Sequence, residues 1–115
     1  MDSILNSVKK LLGITQEEPH FDQEIIMHIN SALMTLGQIG VGETDVIISS
    51  DAETWSSVIG ANTNLEGVKL YVYLKVRLIF DPPTNAFVLD SIERQITQLE
   101  WRLNVQVEEF VPEVI

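Results

Sequence analysis

Residues 64–83 read NLEGVKLYVYLKVRLIFDPP. Leu65, Val68, Leu70, Tyr71, Val72, Leu74, Val76, Leu78 and Ile79 make the stretch apolar, leaving a narrow polar strip of Glu66, Lys69, Tyr73 and Arg77. A helix that is apolar over most of its circumference is surrounded on several sides. Read as a helix over 64–80, this stretch is central, enclosed by the other helices or by neighbouring subunits. Asp81-Pro82-Pro83-Thr84 stops it, because proline cannot continue the hydrogen-bond ladder and drives the preceding residue out of helical geometry. With Asp81 or Thr84 capping the next helix, the connection is tight and the two helices form an antiparallel hairpin.

That next helix, over 85–104, carries Leu89, Ile92, Ile96, Leu99 and Leu103 at spacings of three and four, a heptad seam suited to packing along a neighbour. Upstream, Phe21-Asp22 opens a helix over 22–39, with Asp22 as N-cap, Phe21 stapled to Ile26, and Ile25, Ile26, Ile29, Leu33 and Leu36 as its buried stripe. A short amphipathic helix over 3–12 buries Ile4, Leu5, Val8, Leu11 and Leu12. Asp2 or Ser3 caps it, Lys9 and Lys10 suit its negative end, and Gly13 takes the left-handed stop. Residues 15–18 have capping-box spacing, but Pro19 makes a connector with one turn the better reading.

Residues 40–63 are the least regular. Val46-Ile47-Ile48 has the makings of a short strand, and Trp55, Val58 and Ile59 fit a turn or two of helix, so the segment reads as a long loop carrying a short helix. The expected fold is all-α: a small bundle of four main helices, about 3–12, 22–39, 64–80 and 85–104. Residues 1–104 make the helical domain and residues 105–115 an extended C-terminal arm.

Composition narrows the function. At 115 residues the chain is one domain. It has no cysteine, which rules out disulfides, thiol nucleophiles and zinc–thiolate sites and fits a reducing compartment. The sequence has neither a bilayer-length apolar run nor a secretion signal, so a soluble, intracellular protein with no membrane partner is expected. Seventeen acidic residues face seven basic ones, and no Lys or Arg occurs between Lys10 and Lys69. Such a chain is a poor DNA binder, since binding depends on cations at the phosphates. It suits a protein that avoids DNA or imitates it.

Catalytic constellations are thin. Glu24 and His28, four apart, share a helix face, and only His20 adds a second imidazole; a surface histidine beside a glutamate explains them better than a metal or catalytic site. No phosphate-cradling loop, nucleophile elbow or metalloprotease helix is present. No enzyme activity, cofactor or metal is expected. What stands out instead is Trp101, roughly 200° around its helix from Leu99 and flanked by Arg94, Thr97 and Gln98. It reads either as a cap on the bundle's end or as a partner anchor, a role in which tryptophan is enriched. The arm adds Val105, Val107, Phe110, Val111, Val114 and Ile115, many large apolar residues for a tail that touches nothing. Trp101, Arg102, Val105, Val107, Phe110 and Val111 are therefore the candidate assembly surface.

Three stretches together resemble the small head-tail connector (adaptor) proteins of tailed bacteriophages: Met1 to Ile14 followed by Phe21-Asp22 and Ile25 to Asn30; Val68 to Pro83; and Leu99-Glu100-Trp101-Arg102-Leu103-Asn104. The likeness spans nearly the whole chain, and its specificity lies in the combination. It implies a mostly helical virion protein, made in the host cytoplasm, that forms a ring of about twelve copies under the portal. The ring extends the DNA channel and carries the stopper or tail-completion protein below; the family supplies no catalytic residue.

Charge makes the role feasible. An acidic channel wall lets DNA slide where a basic one would hold it. The loop acids Glu43, Asp45, Asp51 and Glu53 are the candidate channel lining. The rival reading is an acidic DNA mimic that blocks a host DNA-binding protein, and it needs carboxylates rowed along one face like phosphates. The helical faces are too sparsely acidic for that.

Overall fold

The computed structural model describes residues 3–40, 47–55 and 65–110. These hold four helices: α1 (Ile4–Leu12), α2 (Asp22–Gln38), α3 (Leu65–Phe80) and α4 (Ala86–Phe110), and no strand occurs among them. The all-α bundle expected from the sequence is the observed fold. Val41 to Val46, Ser56 to Asn64 and Val111 to Ile115 fall outside the described residues, so the expected short helix around Val58 and Ile59 does too.

α3 is the centre. Val68, Tyr71, Val72, Leu74 and Val76 are buried, and α3 packs against α1, α2 and α4. Its even-numbered apolar residues, Val68 to Leu78, also alternate like a strand, yet enclosure by helices on several sides makes a helix the better way to bury them. The strip of Glu66, Lys69, Tyr73 and Arg77 stays at least partly open, as expected. Phe21 at the start of α2 meets Phe80 at the end of α3 edge-on, centroids 5.2 Å apart. At the opposite end Asn104 Nδ2 of α4 donates to the Ile39 carbonyl at 2.8 Å. α2 and α4 therefore run in the same direction, and α3 runs against both.

Local chemistry sets each terminus. Ser3 Oγ accepts from the Asn6 N–H at 3.2 Å and caps α1. Gly13, at φ 83°, closes it: the Gly13 N–H donates to the Lys10 carbonyl and that of Ile14 to the Lys9 carbonyl, the two bonds of a Schellman motif. Lys9 does not wait at the helix end for the dipole. It is buried at 1 % exposure, and its Nζ donates to the carbonyls of Gln16 and Glu18 and meets Asp22 Oδ1 at 2.7 Å. Asp22 is consequently the first helical residue of α2, without the N-cap bond expected of it. The cap of α4 is likewise neither Asp81 nor Thr84 but Asn85, whose Oδ1 accepts from the N–H groups of Phe87 and Val88.

The middle segment is anchored from two sides. Asn30 grips Ile48 with both ends of its amide, Oδ1 accepting from the Ile48 N–H at 2.7 Å and Nδ2 donating to its carbonyl at 3.0 Å. Ile48 is thereby buried in the core; Ile47 beside it is exposed, neither residue lies in a strand, and Val46, the third residue of the strand considered for this stretch, lies outside the described residues. Farther on, the Ile4 N–H donates to the Glu53 carbonyl and Ser3 bridges Thr54. Trp55 is buried with its Nε1 donating to Ser7 Oγ at 3.2 Å.

The largest departure concerns the C-terminus. α4 continues to Phe110, six residues beyond the expected end at Asn104. Residues 105–110 are helix and not extended arm, because nothing before Pro112 interrupts a ladder that Val105 and Val107 can join.

Candidate assembly surfaces

Burial on α4 follows the expected seam: Ile92, Ile96 and Leu103 are buried, with Leu89 and Leu99 partly covered. Opposite lies a second seam of the same three-and-four spacing, Phe87, Ser91, Arg94, Gln98 and Trp101, and every one of these residues is exposed. Trp101 has 68 % of its surface open and Phe87 84 %. Trp101 is thus not a cap over its own bundle. A shallow hollow lined by Phe87, Ser91, Arg94, Gln95 and Gln98 occupies the upper part of the stripe. Phe87 was missed in the sequence, although its spacing of fourteen from Trp101 is a whole number of heptads.

Of the other candidate contact residues, Arg102 is exposed beside the stripe and Val105 is partly covered. Val107 and Phe110 belong to the last turns of α4, and Val111 lies outside the described residues. The structure does not draw the candidate channel acids into one described cluster. Glu43 and Asp45 lie outside the described residues and Asp51 is exposed. Glu53 is engaged internally, its carboxylate accepting from the Ser49 and Ser50 N–H groups and the Ser49 hydroxyl. Burial pushes its pKa up, but hydrogen bonds from the backbone of Glu53, Ser49 and Ser50 and from the Ser49 hydroxyl outweigh that and lower it. Glu53 is a loop organiser first.

The second free face belongs to α2. Met27, Ser31, Met34 and Gln38 form an exposed stripe opposite the buried Ile25, Ile29 and Leu36. Glu24 lies at its edge, 3.8 Å from His28 Nε2, and no group of three or more metal-ligating side chains exists among the described residues. A wide hollow of about 600 Å³ beside α1 is lined by Lys10, Thr15 and the hydroxyls of Ser3 and Ser7, among others. Ser3 already caps α1 and Ser7 already receives Trp55, so no activated nucleophile stands there.

Among the described residues the free surface consists of helix faces, the kind of surface through which proteins meet other proteins. Residues 4–110 match a family described as "Phage connector protein", and the chain belongs to that family. No curated protein and no solved structure matches it. The family supports a phage head-tail connector role in general and suggests a structural rather than an enzymatic one. No helix among the described residues is long and apolar enough to cross a membrane.

Proposed function

We propose that the chain is the adaptor of a tailed-phage virion, forming a ring of about twelve copies beneath the portal. The ring lengthens the DNA channel and presents the platform on which a stopper or tail-completion protein sits. The observation that carries this reading is the family match over residues 4–110, joined to a free stripe with Trp101 and Phe87 at its two ends. Trp and Arg dominate the energetic centres of protein interfaces, and the stripe holds Trp101 and Arg94. DNA passes without specific binding: with a net charge of −10, the chain has too few cations to displace counterions from phosphates. Asp51, together with Glu43 and Asp45, faces the channel or its rim in this reading.

The DNA-mimic reading is weaker on this surface. Asp22 is matched by Lys9 and Asp90 by Arg94, and Glu100 accepts the Tyr71 hydroxyl, so these carboxylates do not form an unmatched row. Electron microscopy of the purified protein with and without its portal tests the proposal. Rings on the portal, and DNA-filled heads without tails when the gene is deleted, are expected; a protein that never joins the portal overturns it.

A further inference from the structure

The free stripe of α4 has the same chemistry read in either direction. Phe87, Ser91, Arg94, Gln98 and Trp101 run aromatic, polar, arginine, polar, aromatic, with Arg94 seven residues from either aromatic. We propose that this stripe pairs with itself: two copies of the chain associate through antiparallel α4 helices, about a two-fold axis at Arg94. The inference goes beyond the ring reading above. A face that meets its own copy makes an isologous contact, which closes at two copies. The pair is therefore the form in which the stripe is covered before the ring or the portal takes it over.

Shape supports the pair first. Phe87 and Trp101 lie roughly 21 Å apart along α4, so in the antiparallel register each Trp101 is level with the partner's Phe87 and both aromatic contacts form at once. A hollow of about 370 Å³ on α4 is lined by Phe87, Ser91, Arg94, Gln95 and Gln98. The last four stand at i, i+3, i+4 and i+7, the positions that frame a hole for the knob of a facing helix. A long side chain on a helix leans toward that helix's N-terminus. The partner's Trp101 is thereby carried from the level of Phe87 toward Ser91, the smallest wall of the hollow. One stripe thus holds both the knob and the hole.

Charge at the axis is already settled within each copy. Arg94 ion-pairs with Asp90, one turn nearer the start of α4. Antiparallel helices start at opposite ends, so each guanidinium is drawn by its own Asp90 away from the axis and away from its counterpart. What opposes association is the net charge of −10 on each copy, and physiological salt screens that repulsion beyond about 8 Å. A single helix face with two aromatic contacts falls at the small end of specific interfaces, below about 1,200 Å². Such a contact dissociates readily, as a form that gives way to assembly must.

Sedimentation of the purified full chain without its portal, over a concentration series, tests the pair. A monomer–dimer equilibrium is expected, tighter at higher salt because screening relieves the repulsion while the aromatic contacts persist. Trp101→Ala and Phe87→Ala each weaken it about tenfold or more, whereas Met34→Ala, exposed on α2, leaves it unchanged. The chain has no cysteine, so introduced ones report the register. Ser91→Cys mixed with Gln98→Cys, both at exposed positions, is joined by a short bis-maleimide more readily than either variant alone. A chain that stays monomeric to millimolar concentration overturns the proposal, as do assemblies larger than two. So does a dimer that Trp101→Ala leaves intact, or one in which the two cysteine variants do not link to each other. The ring reading is tested with the portal present and fails or stands independently of these results.

Discussion

Lys9 and Asp22, thirteen residues apart and on different helices, meet at 2.7 Å, and the lysine is enclosed while the aspartate keeps partial contact with water. The same ammonium holds the carbonyls of Gln16 and Glu18. One side chain therefore fastens the whole connector between α1 and α2. Replacing Lys9 by Met strips two carbonyls and a carboxylate of their cation. A loss of about 2–3 kcal/mol is expected, below the usual cost for a fully buried pair because Asp22 is partly solvated. Urea unfolding checks it, and Asp22→Asn, which keeps the carbonyl bonds, costs less.

The two tryptophans have opposite roles. Trp55→Ala empties a buried site and loses the bond to Ser7, so a destabilisation of about 3–5 kcal/mol is expected. Trp101→Ala leaves stability within about 0.5 kcal/mol of the parent, as an exposed substitution does. Its effect falls on assembly, read as loss of portal-bound protein in sedimentation. A Trp101→Ala protein that unfolds early contradicts the exposed placement.

Asn30 carries the Ile48 backbone. Asn30→Ala strands a donor and an acceptor that are only partly open to water, at an expected cost of about 2 kcal/mol. Amide exchange checks this more sharply than global unfolding: protection at Ile48 falls while protection in α3 is retained.

Tyr71 donates its hydroxyl to Glu100 Oε2 at 2.7 Å. Burial pushes the phenol's pKa well above its ordinary value, and the hydrogen bond and negative charge of Glu100 push it further. In the unfolded chain the phenol ionises near pH 10, in the folded one later. Its contribution to stability is complete below about pH 10 and falls as pH rises beyond it. Tyr71→Phe is expected to cost about 1–2 kcal/mol at neutral pH, since Glu100 retains some solvent, and to flatten the alkaline decline. Denaturant midpoints between neutral pH and the alkaline limit check both.

Helix existence was legible because it rests on spacing along the chain. The seam from Leu89 to Leu103 and the enclosed face of α3 are local patterns, and both emerge where the spacing puts them. Capping was legible only where no tertiary competitor intervened. Ser3 and Gly13 behave as their types suggest, whereas Asp22 is diverted to Lys9, an attraction between groups on separate helices that no window of sequence displays. The grip of Asn30 on Ile48 is hidden for the same reason. On the candidate surface, Trp101 was visible because it breaks the apolar pattern, but Phe87 was not, being one apolar residue at a helix start beside Val88 and Leu89. The acidic loop illustrates the converse error: charge count marks Glu53 as free, and its hydrogen bonds show it engaged.

The bond from the Ile4 N–H to the Glu53 carbonyl also orders events in time. It closes a loop of 49 residues, whereas α3 and α4 are joined by residues 81–85 alone. Between closures of those two sizes lie about three doublings of loop length, roughly 2 kcal/mol of extra chain entropy. The α3–α4 hairpin thus closes at little chain-entropy cost, and the contact of Ile4 with Glu53 closes late. During synthesis α1 meets α2 through Lys9 and Asp22 well before the residues around Glu53 that complete its site have been made.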